Sequence, residues 1–259
     1  MMISISNIYG HGFSELEVEK LRSLGFLFRD QVSRFAGSQL LHFIDFPQGP
    51  SLEFIEVEDE SDYFEFLPKG MIPYCPGISL LISHNALKSV SDFQQAHQVW
   101  SPYLVHAMND ESDDLNKPSW SHLNFSVPVV QDTFIYLSKP DAPEPVANVL
   151  VDHPNSVKQV VELIFNLGEA GIAKLAHLTG SEIIEGSVEI AGIQARSLNA
   201  LVGKIKPLEK PFPLVLIVLK TESIDFFLGK EGVKLIDFCS KPAAYIQTTS
   251  LSWDLIVTT

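Results

Sequence analysis

The side chains that could do chemistry in this sequence lie on short stretches rich in apolar residues. Glu53 shares one face of its stretch with Ile55 and Val57, where an unpaired buried carboxylate is costly, so it needs a partner. A carboxylate on a sheet can ligate a hard or borderline cation while a neighbouring imidazole completes the site. Ligation of a cation is one role open to Glu53, and a ligand-lining or surface-facing carboxylate is the alternative.

Two histidines could supply the imidazole. His42 sits among large apolar residues, so a hydrogen-bonded structural histidine is the alternative to a ligand or acid/base role. His122 lies on an otherwise polar stretch, where the same two interpretations apply. The predicted ligand-binding residues are Glu53, His42, His122, Asn124 and Tyr136, and no residue is assigned a catalytic role.

Several common catalytic and nucleotide-binding motifs are missing from the sequence. It contains no Gly-x-Ser-x-Gly elbow, and Gly229-Lys-Glu has the wrong third residue for a phosphate loop. Gly10-His-Gly12 lacks the third glycine of a dinucleotide fingerprint. These observations disfavour hydrolysis through a serine elbow and binding of a nucleotide.

The composition limits the classes of partner and the cellular compartment that we expect for this protein. The chain has 259 residues, 46% hydrophobic and 19% charged, and a formal net charge of −14, which disfavours nucleic acid as a partner. No apolar run is long enough to span a bilayer and no secretory signal is recognisable, so we expect no membrane partner and a cytoplasmic location. Cys75 and Cys239 are too few for a disulfide framework and are predicted to be buried.

The elements that must position these residues follow one pattern near the N-terminus. Residues 3–8 alternate apolar and polar, which predicts a strand. Ser14 and Glu17 form a capping box for a helix that ends near Gly25. Two further strands, 39–46 and 51–57, are joined by a Pro-Gly turn and predict a hairpin.

The same order of elements recurs three times with more divergence. The second unit has predicted strands at 77–83, 120–127 and 133–138 and a helix after Asn85. The third has a strand at 158–165, a helix carrying Leu167 to Leu178 and strands within 187–200. The fourth has strands at 213–219, 233–239, 243–248 and 251–257 with a short helix at 223–228. Four units of about 65 residues indicate a repeat.

Strands outnumber helices by about three to one, and a hairpin turn joins two of them directly, so we predict an α+β fold. It consists of repeated strand-helix-strand-strand modules that pair into curved, mainly antiparallel sheets. The proline-rich segment 140–145 is predicted to connect two module pairs, residues 1–139 and the more divergent residues 146–259.

Four segments carry a family resemblance. They are Leu24-Gly25-Phe26 after the first helix, Ser51-Leu-Glu53-Phe-Ile-Glu56, Pro76-Gly-Ile-Ser-Leu80 and Asp152-His-Pro-Asn155. Over about residues 1–165 they resemble glyoxalase-like proteins of the vicinal oxygen chelate superfamily. The resemblance implies paired modules around a cup for a small molecule, often with a divalent metal at its floor, and it is compatible with a homodimer.

In that family a histidine on the first strand and a glutamate on the last strand of a module hold the metal. Glu53 matches the glutamate, but the histidine position falls near Ser6 and Asn7, and Tyr136 stands where a second glutamate is expected. We therefore predict a small-molecule-binding protein with a degenerate metal site. The alternatives are a metal-dependent lyase, isomerase or dioxygenase of a small oxygenated substrate, and an interaction module whose cup is filled by side chains.

Overall fold

A computed structural model of the chain places most of its residues. It describes residues 3–12, 14–29, 33–35, 39–61, 73–82, 95, 97–107, 120–140, 151–198, 214–248, 251 and 253–259. The predicted helix after Asn85 and residues 141–145 of the predicted connector lie outside this set.

The first half forms an eight-stranded sheet with the strand order β2-β3-β4-β1-β5-β8-β7-β6. Its elements are β1 (Ile3–His11), α1 (Glu15–Ser23), β2 (Ser33–Phe35), β3 (Gln39–Ile44), β4 (Ser51–Val57), β5 (Gly77–Ile82), β6 (Pro102–Ala107), β7 (Trp120–Phe125) and β8 (Phe134–Pro140). A short 3-10 helix (Gln98–Trp100) precedes β6. Neither this helix nor β6 was predicted from the sequence.

The second half repeats the arrangement in the order β10-β11-β12-β9-β13-β16-β15-β14. Its elements are β9 (Val157–Phe165), α2 (Glu169–Thr179), β10 (Ile183–Ile184), β11 (Ser187–Ile190), β12 (Ile193–Ser197), β13 (Leu214–Thr221), β14 (Val233–Phe238), β15 (Lys241–Ile246) and β16 (Asp254–Thr258). The short helix predicted near 223–228 is one 3-10 turn, Asp225–Phe227.

The pairing of strands confirms the predicted fold class. In each sheet the first strand of a module lies parallel to its last strand, as β1 lies to β4, β5 to β8, β9 to β12 and β13 to β16. The remaining neighbours are antiparallel, including β1 with β5 and β9 with β13, which join two modules in each sheet. The fold is therefore α+β, with four strands in each module arranged in mixed, mainly antiparallel sheets and with an α-helix after the first strand of the first and third modules.

Helix α1 begins and ends as its sequence predicts. The Ser14 hydroxyl accepts a hydrogen bond from the Glu17 backbone N–H, and Leu21 and Leu24 are buried. Gly25 follows at φ +78°, and a Cβ there would lie 2.9 Å from the Phe226 ring. The left-handed backbone and this close approach both require glycine.

Helix α2 begins two residues later than predicted. Leu167 precedes the helix because Gly168 is its N-cap, and Gly180 ends it in the left-handed conformation. Leu175 and Leu178 are buried, as the helical spacing predicts.

The two halves are joined by buried hydrogen bonds as well as by one apolar cluster. Asn155 Nδ2 donates to the Leu24 carbonyl at 2.7 Å, and the Asn155 side-chain oxygen accepts from the Val157 N–H at 3.1 Å. His153 begins a turn, and its ring is buried. The ring accepts from the Leu27 N–H and donates to the Asp45 carbonyl. The proposed boundary between two module pairs stays a prediction.

The prediction that both cysteines are buried is wrong for one of them. Cys75 is buried, whereas Cys239 is exposed, because it lies in the turn between β14 and β15 at φ +52°. Among the described residues, no helix is long and apolar enough to cross a membrane.

Candidate functional site

The two faces of the first sheet differ in chemistry. One face, the apolar face, carries Ile8, Leu52, Phe54, Ile78, Leu80, Ile135 and Leu137, all buried. The other, which we call the polar face, carries Asn7, Tyr9, His11, Glu53, Ser79, His122, Asn124, Phe134, Tyr136 and Ser138. Polar side chains on the central strands of a sheet are unusual unless they are paired or serve a ligand.

A β-bulge in β1 creates the polar face. The register between β1 and β5 shifts between Ile5 and Asn7, so that Ile5 and Ile8 both point to the apolar face. Without the bulge, strict alternation would have placed the Asn7 side chain on the apolar face with Ile3 and Ile5. The bulge instead directs Asn7 toward β4 and the carboxyl group of Glu53.

Glu53 lies on β4, at one side of the polar face, and is 5% exposed. Its register partners are Tyr9 on β1 and Phe43 on β3. Asn7 Nδ2 donates to Glu53 Oε2 at 3.0 Å. Burial raises the pKa of Glu53 to about 7, against the opposing influence of the Asn7 hydrogen bond and the charge of Arg29. The group can therefore gain or lose a proton near neutral pH.

Tyr136 lies on β8, three strands from β4, and pairs with Ser79 on β5. Burial and the nearby charge of Glu53 raise the pKa of Tyr136, although a hydrogen bond with Ser79 opposes the shift. The phenol is therefore neutral and can donate or accept a hydrogen bond. The His122 ring stands edge-on to Tyr136, with ring centroids 5.0 Å apart.

Tyr9 crosses the floor of the polar face. Its hydroxyl donates to the Phe134 carbonyl at 3.4 Å, and its ring lies 6.1 Å from that of Tyr136. The ring passes directly over Gly77, where a Cβ would overlap it. Glycine at position 77 thus lets an aromatic ring lie flat against the sheet.

His11 extends the polar face at the end of β1. Burial lowers the pKa of His11 to about 4, although a hydrogen bond with the Cys75 backbone opposes the shift. The Tyr74 ring stands edge-on to it at 5.7 Å. Burial also raises the pKa of the Cys75 thiol to about 12, so the thiol is not an activated nucleophile.

The structure brings four of the five predicted ligand-binding residues to one face and separates the fifth. Glu53, His122, Asn124 and Tyr136 lie on the polar face. His42 points to the opposite side of the sheet, where its Nε2 lies 3.0 Å from Glu56 Oε2.

Among the residues of the polar face that were not predicted from the sequence as parts of a site are Asn7, Tyr9, His11 and Ser79. Asn7 lies near the position where the family resemblance places a histidine, and its amide cannot replace an imidazole ligand. All four carried a weak signal, since a polar or aromatic residue every second position on a central strand marks a solvent or ligand face.

The donor set on this face does not fit a metal ion. Among the described residues, no three His, Cys, Asp or Glu side chains converge. Asn7 occupies the strand position expected for a ligand, but it presents its NH₂ group to Glu53 rather than an oxygen lone pair. The polar face is therefore suited to hydrogen bonding and ring packing rather than to coordination of a metal.

At the position that corresponds to Asn7 and Glu53, the second sheet carries an ion pair. Asn7 contacts Glu53, which lies two positions beyond the β4 residue that pairs with Asn7. Glu162 contacts Arg196 on β12 in the same diagonal way. Arg196 Nη2 donates to Glu162 Oε2 at 2.9 Å. Around this ion pair the face is apolar, with buried Ile164, Leu216, Val218 and Ile256.

Comparison with known proteins yields likenesses in structure alone. No protein family profile matches the chain, and no curated protein sequence matches it. A hypothetical protein from Staphylococcus aureus is similar over 99% of both chains, with 8% identity and a TM-score of 0.62. A catechol 2,3-dioxygenase matches all of this chain and 88% of its own, with 11% identity and a TM-score of 0.51.

A third structure, the 2,2',3-trihydroxybiphenyl 1,2-dioxygenase of Sphingomonas wittichii strain RW1, matches 100% of this chain and 90% of its own. Its identity is 10% and its TM-score is 0.50. Likenesses at such identities show the fold, and the chain has the glyoxalase-like α+β fold that extradiol dioxygenases share.

Proposed function

We propose that this chain is a divergent member of the vicinal oxygen chelate superfamily and that the polar face of its first sheet binds a small molecule. The observation that carries the proposal is the buried carboxyl group of Glu53, placed among aromatic rings on the central strands. Asn7 donates the hydrogen bond that Glu53 receives from the described residues. A carboxyl group has room for about four such bonds, so most of its capacity remains for a ligand.

The aromatic residues support a ligand with an apolar body. Tyr9, Phe134 and Tyr136 form a continuous group of rings with centroids 5.4 to 6.2 Å apart. Binding sites for small molecules combine such rings with a few polar groups that orient the ligand. Asn7, His122 and Tyr136 are partly exposed, so this face can be reached from solvent.

The fold neighbours favour the same class of partner. Two of them are named for catechol and for trihydroxybiphenyl, which are small hydroxylated aromatic molecules. In this chain Asn7 and Tyr136 replace expected metal ligands, which favours binding over the metal chemistry of the superfamily. We therefore place binding first and a metal-dependent lyase, isomerase or dioxygenase second.

A thermal-shift screen in the presence of a chelator tests the proposal. A panel of small aromatic alcohols, phenols, acids and amines should contain ligands that raise the melting temperature, because a ligand of the folded state stabilises it by mass action. Glu53→Gln should weaken these ligands, whereas Glu56→Gln, on the same strand but the opposite face, should not.

The thermal-shift screen and a metal analysis could each decide against this function. If no compound stabilises the protein in chelator while an added divalent metal does, the metal-dependent alternative takes its place. Elemental analysis adds an independent measurement, since that alternative requires near-stoichiometric metal that is lost in Glu53→Ala.

A further inference from the structure

We propose that the ligand of the polar face is an organic cation, with an ammonium or amidinium group held by Glu53 and an apolar or aromatic body packed on the neighbouring rings. This inference rests on the small-molecule site proposed above and narrows it to one chemical class. It depends on charge, on the placement of rings and on a comparison between the two sheets.

The ionised carboxylate of Glu53 gives the polar face a negative charge. Arg29 is the cation whose charge acts on Glu53 among the described residues, but its guanidinium is already committed. Arg29 Nε and Nη2 donate to the two oxygens of Asp45 at 2.8 and 2.7 Å. Although burial disfavours the charge, hydrogen bonds from Arg29 and Ser51 hold the pKa of Asp45 below its ordinary value. Among the described residues this closed pair leaves the ionised Glu53 with little compensating charge, so an anionic ligand would be repelled.

The rings around Glu53 suit a cation. Tyr9 and Phe43 are the register partners of Glu53 on its two neighbouring strands, and ring faces attract ammonium and guanidinium groups. The protein already uses one of these rings in this way, because the Arg29 guanidinium lies 4.3 Å from the centroid of Phe43. A ligand cation at Glu53 would meet the same combination of a carboxylate and ring faces.

In the second sheet a cation of the protein itself takes part in the corresponding contact. There the diagonal contact between the first and last strands of the module is the ion pair of Glu162 with Arg196. In the first sheet the carboxylate belongs to the last strand, and Asn7 offers an amide where a charged partner could stand. A ligand ammonium would supply to Glu53 the charge that Arg196 supplies to Glu162.

Three probes of matched size test the class of ligand by titration calorimetry on the full chain. Protonated 2-phenylethylamine is the cation, 2-phenylethanol the neutral analogue and phenylacetate the anion. We expect the amine to bind at least roughly tenfold more tightly than the alcohol, as a charge-assisted hydrogen bond predicts, and phenylacetate not to bind. Glu53→Gln should remove this preference, and Glu56→Gln should keep it.

Equal binding of the alcohol and the amine, or an amine affinity that Glu53→Gln leaves unchanged, would overturn the cationic class and leave the small-molecule site in place. The cationic class is overturned equally if none of the three probes binds to a protein that other compounds stabilise in the screen. If the screen itself finds no ligand, the proposed function fails and this inference fails with it. Circular dichroism of Glu53→Gln confirms that the variant is folded in each case.

Discussion

Asn7 and Glu53, 46 residues apart, meet across two parallel strands, with Asn7 Nδ2 donating to Glu53 Oε2 at 3.0 Å. The contact joins the first strand of a module to its last strand on the polar face of the sheet. Because the carboxyl group is buried and Asn7 is a neutral donor, ionisation of Glu53 is costly in the folded protein. Removing this carboxyl group should therefore change how stability depends on pH.

Replacing Glu53 with Gln should stabilise the protein at pH 8 but not at pH 4.5. The folded pKa of about 7 lies above the ordinary value of 4.5, so the stability that the protonated group contributes is complete below pH 4.5 and is lost as pH rises through 7. Gln carries no charge and can still accept from Asn7. The shift corresponds to about 3 kcal/mol in the free energy of unfolding.

Urea titrations at several pH values measure the difference. Glu189→Gln, an exposed carboxyl group on β11, is the matched control and should show no such trend. A constant difference between wild type and Glu53→Gln from pH 4.5 to 8 would contradict the prediction.

His11 should make the protein less stable in acid. Its folded pKa of about 4 lies below the ordinary value of 6.5, so its contribution is complete above pH 6.5 and is lost as pH falls through 4. The loss amounts to about 3 kcal/mol in the free energy of unfolding. His11→Gln should therefore flatten the acid side of the stability profile.

The effect of His11 is clearest in the Glu53→Gln background, because the two groups change stability in opposite directions between pH 4.5 and 6.5. His42→Gln is the control, since that histidine is partly exposed beside Glu56. An acid limb that remains equally steep in His11→Gln would count against this assignment.

Gly77→Ala should destabilise the protein by roughly 2 to 3 kcal/mol, because its methyl group would overlap the Tyr9 ring. Chemical denaturation of a double-mutant cycle isolates the cause. In a Tyr9→Ala background the same change should cost much less, since the ring is gone. Equal costs in both backgrounds would show that the ring is not the obstacle.

Asn155→Ala should cost about 2 to 4 kcal/mol in the free energy of unfolding. The substitution leaves the buried Leu24 carbonyl and the Val157 N–H without their partner. Asn124→Ala, at a partly exposed position on the polar face, is the control and should cost less than about 1 kcal/mol, as expected for a partly exposed site. Similar losses in the two variants would argue against a special role for Asn155.

The elements themselves could be predicted from the sequence because their signals are local. Ser14 and Glu17 mark the start of α1, Gly25 and Gly180 mark helix ends, and alternation marks most strands. The fourth module shows the limit of such signals. Its apolar segment near Phe227 forms only one 3-10 turn, because packing decides whether a short helix persists.

The site was predictable in part for a related reason. The family resemblance pointed to Glu53 and to the position of Tyr136. Alternation tells which residues of a strand share a face, but it does not tell which face of the sheet each group joins. His42 therefore ended on the opposite side, and the bulge after Ile5 moved Asn7 to the polar face.

Residue types and their local spacing thus specified the strands, the helix caps, the α+β class and the importance of Glu53. Contacts between residues far apart in the chain decided the strand register, the meeting of Asn7 with Glu53 and the ion pair that replaces it in the second sheet. The pKa of Glu53 belongs to this second group. It arises from the removal of water by neighbouring strands, and the desolvation of a carboxyl group depends on everything packed around it.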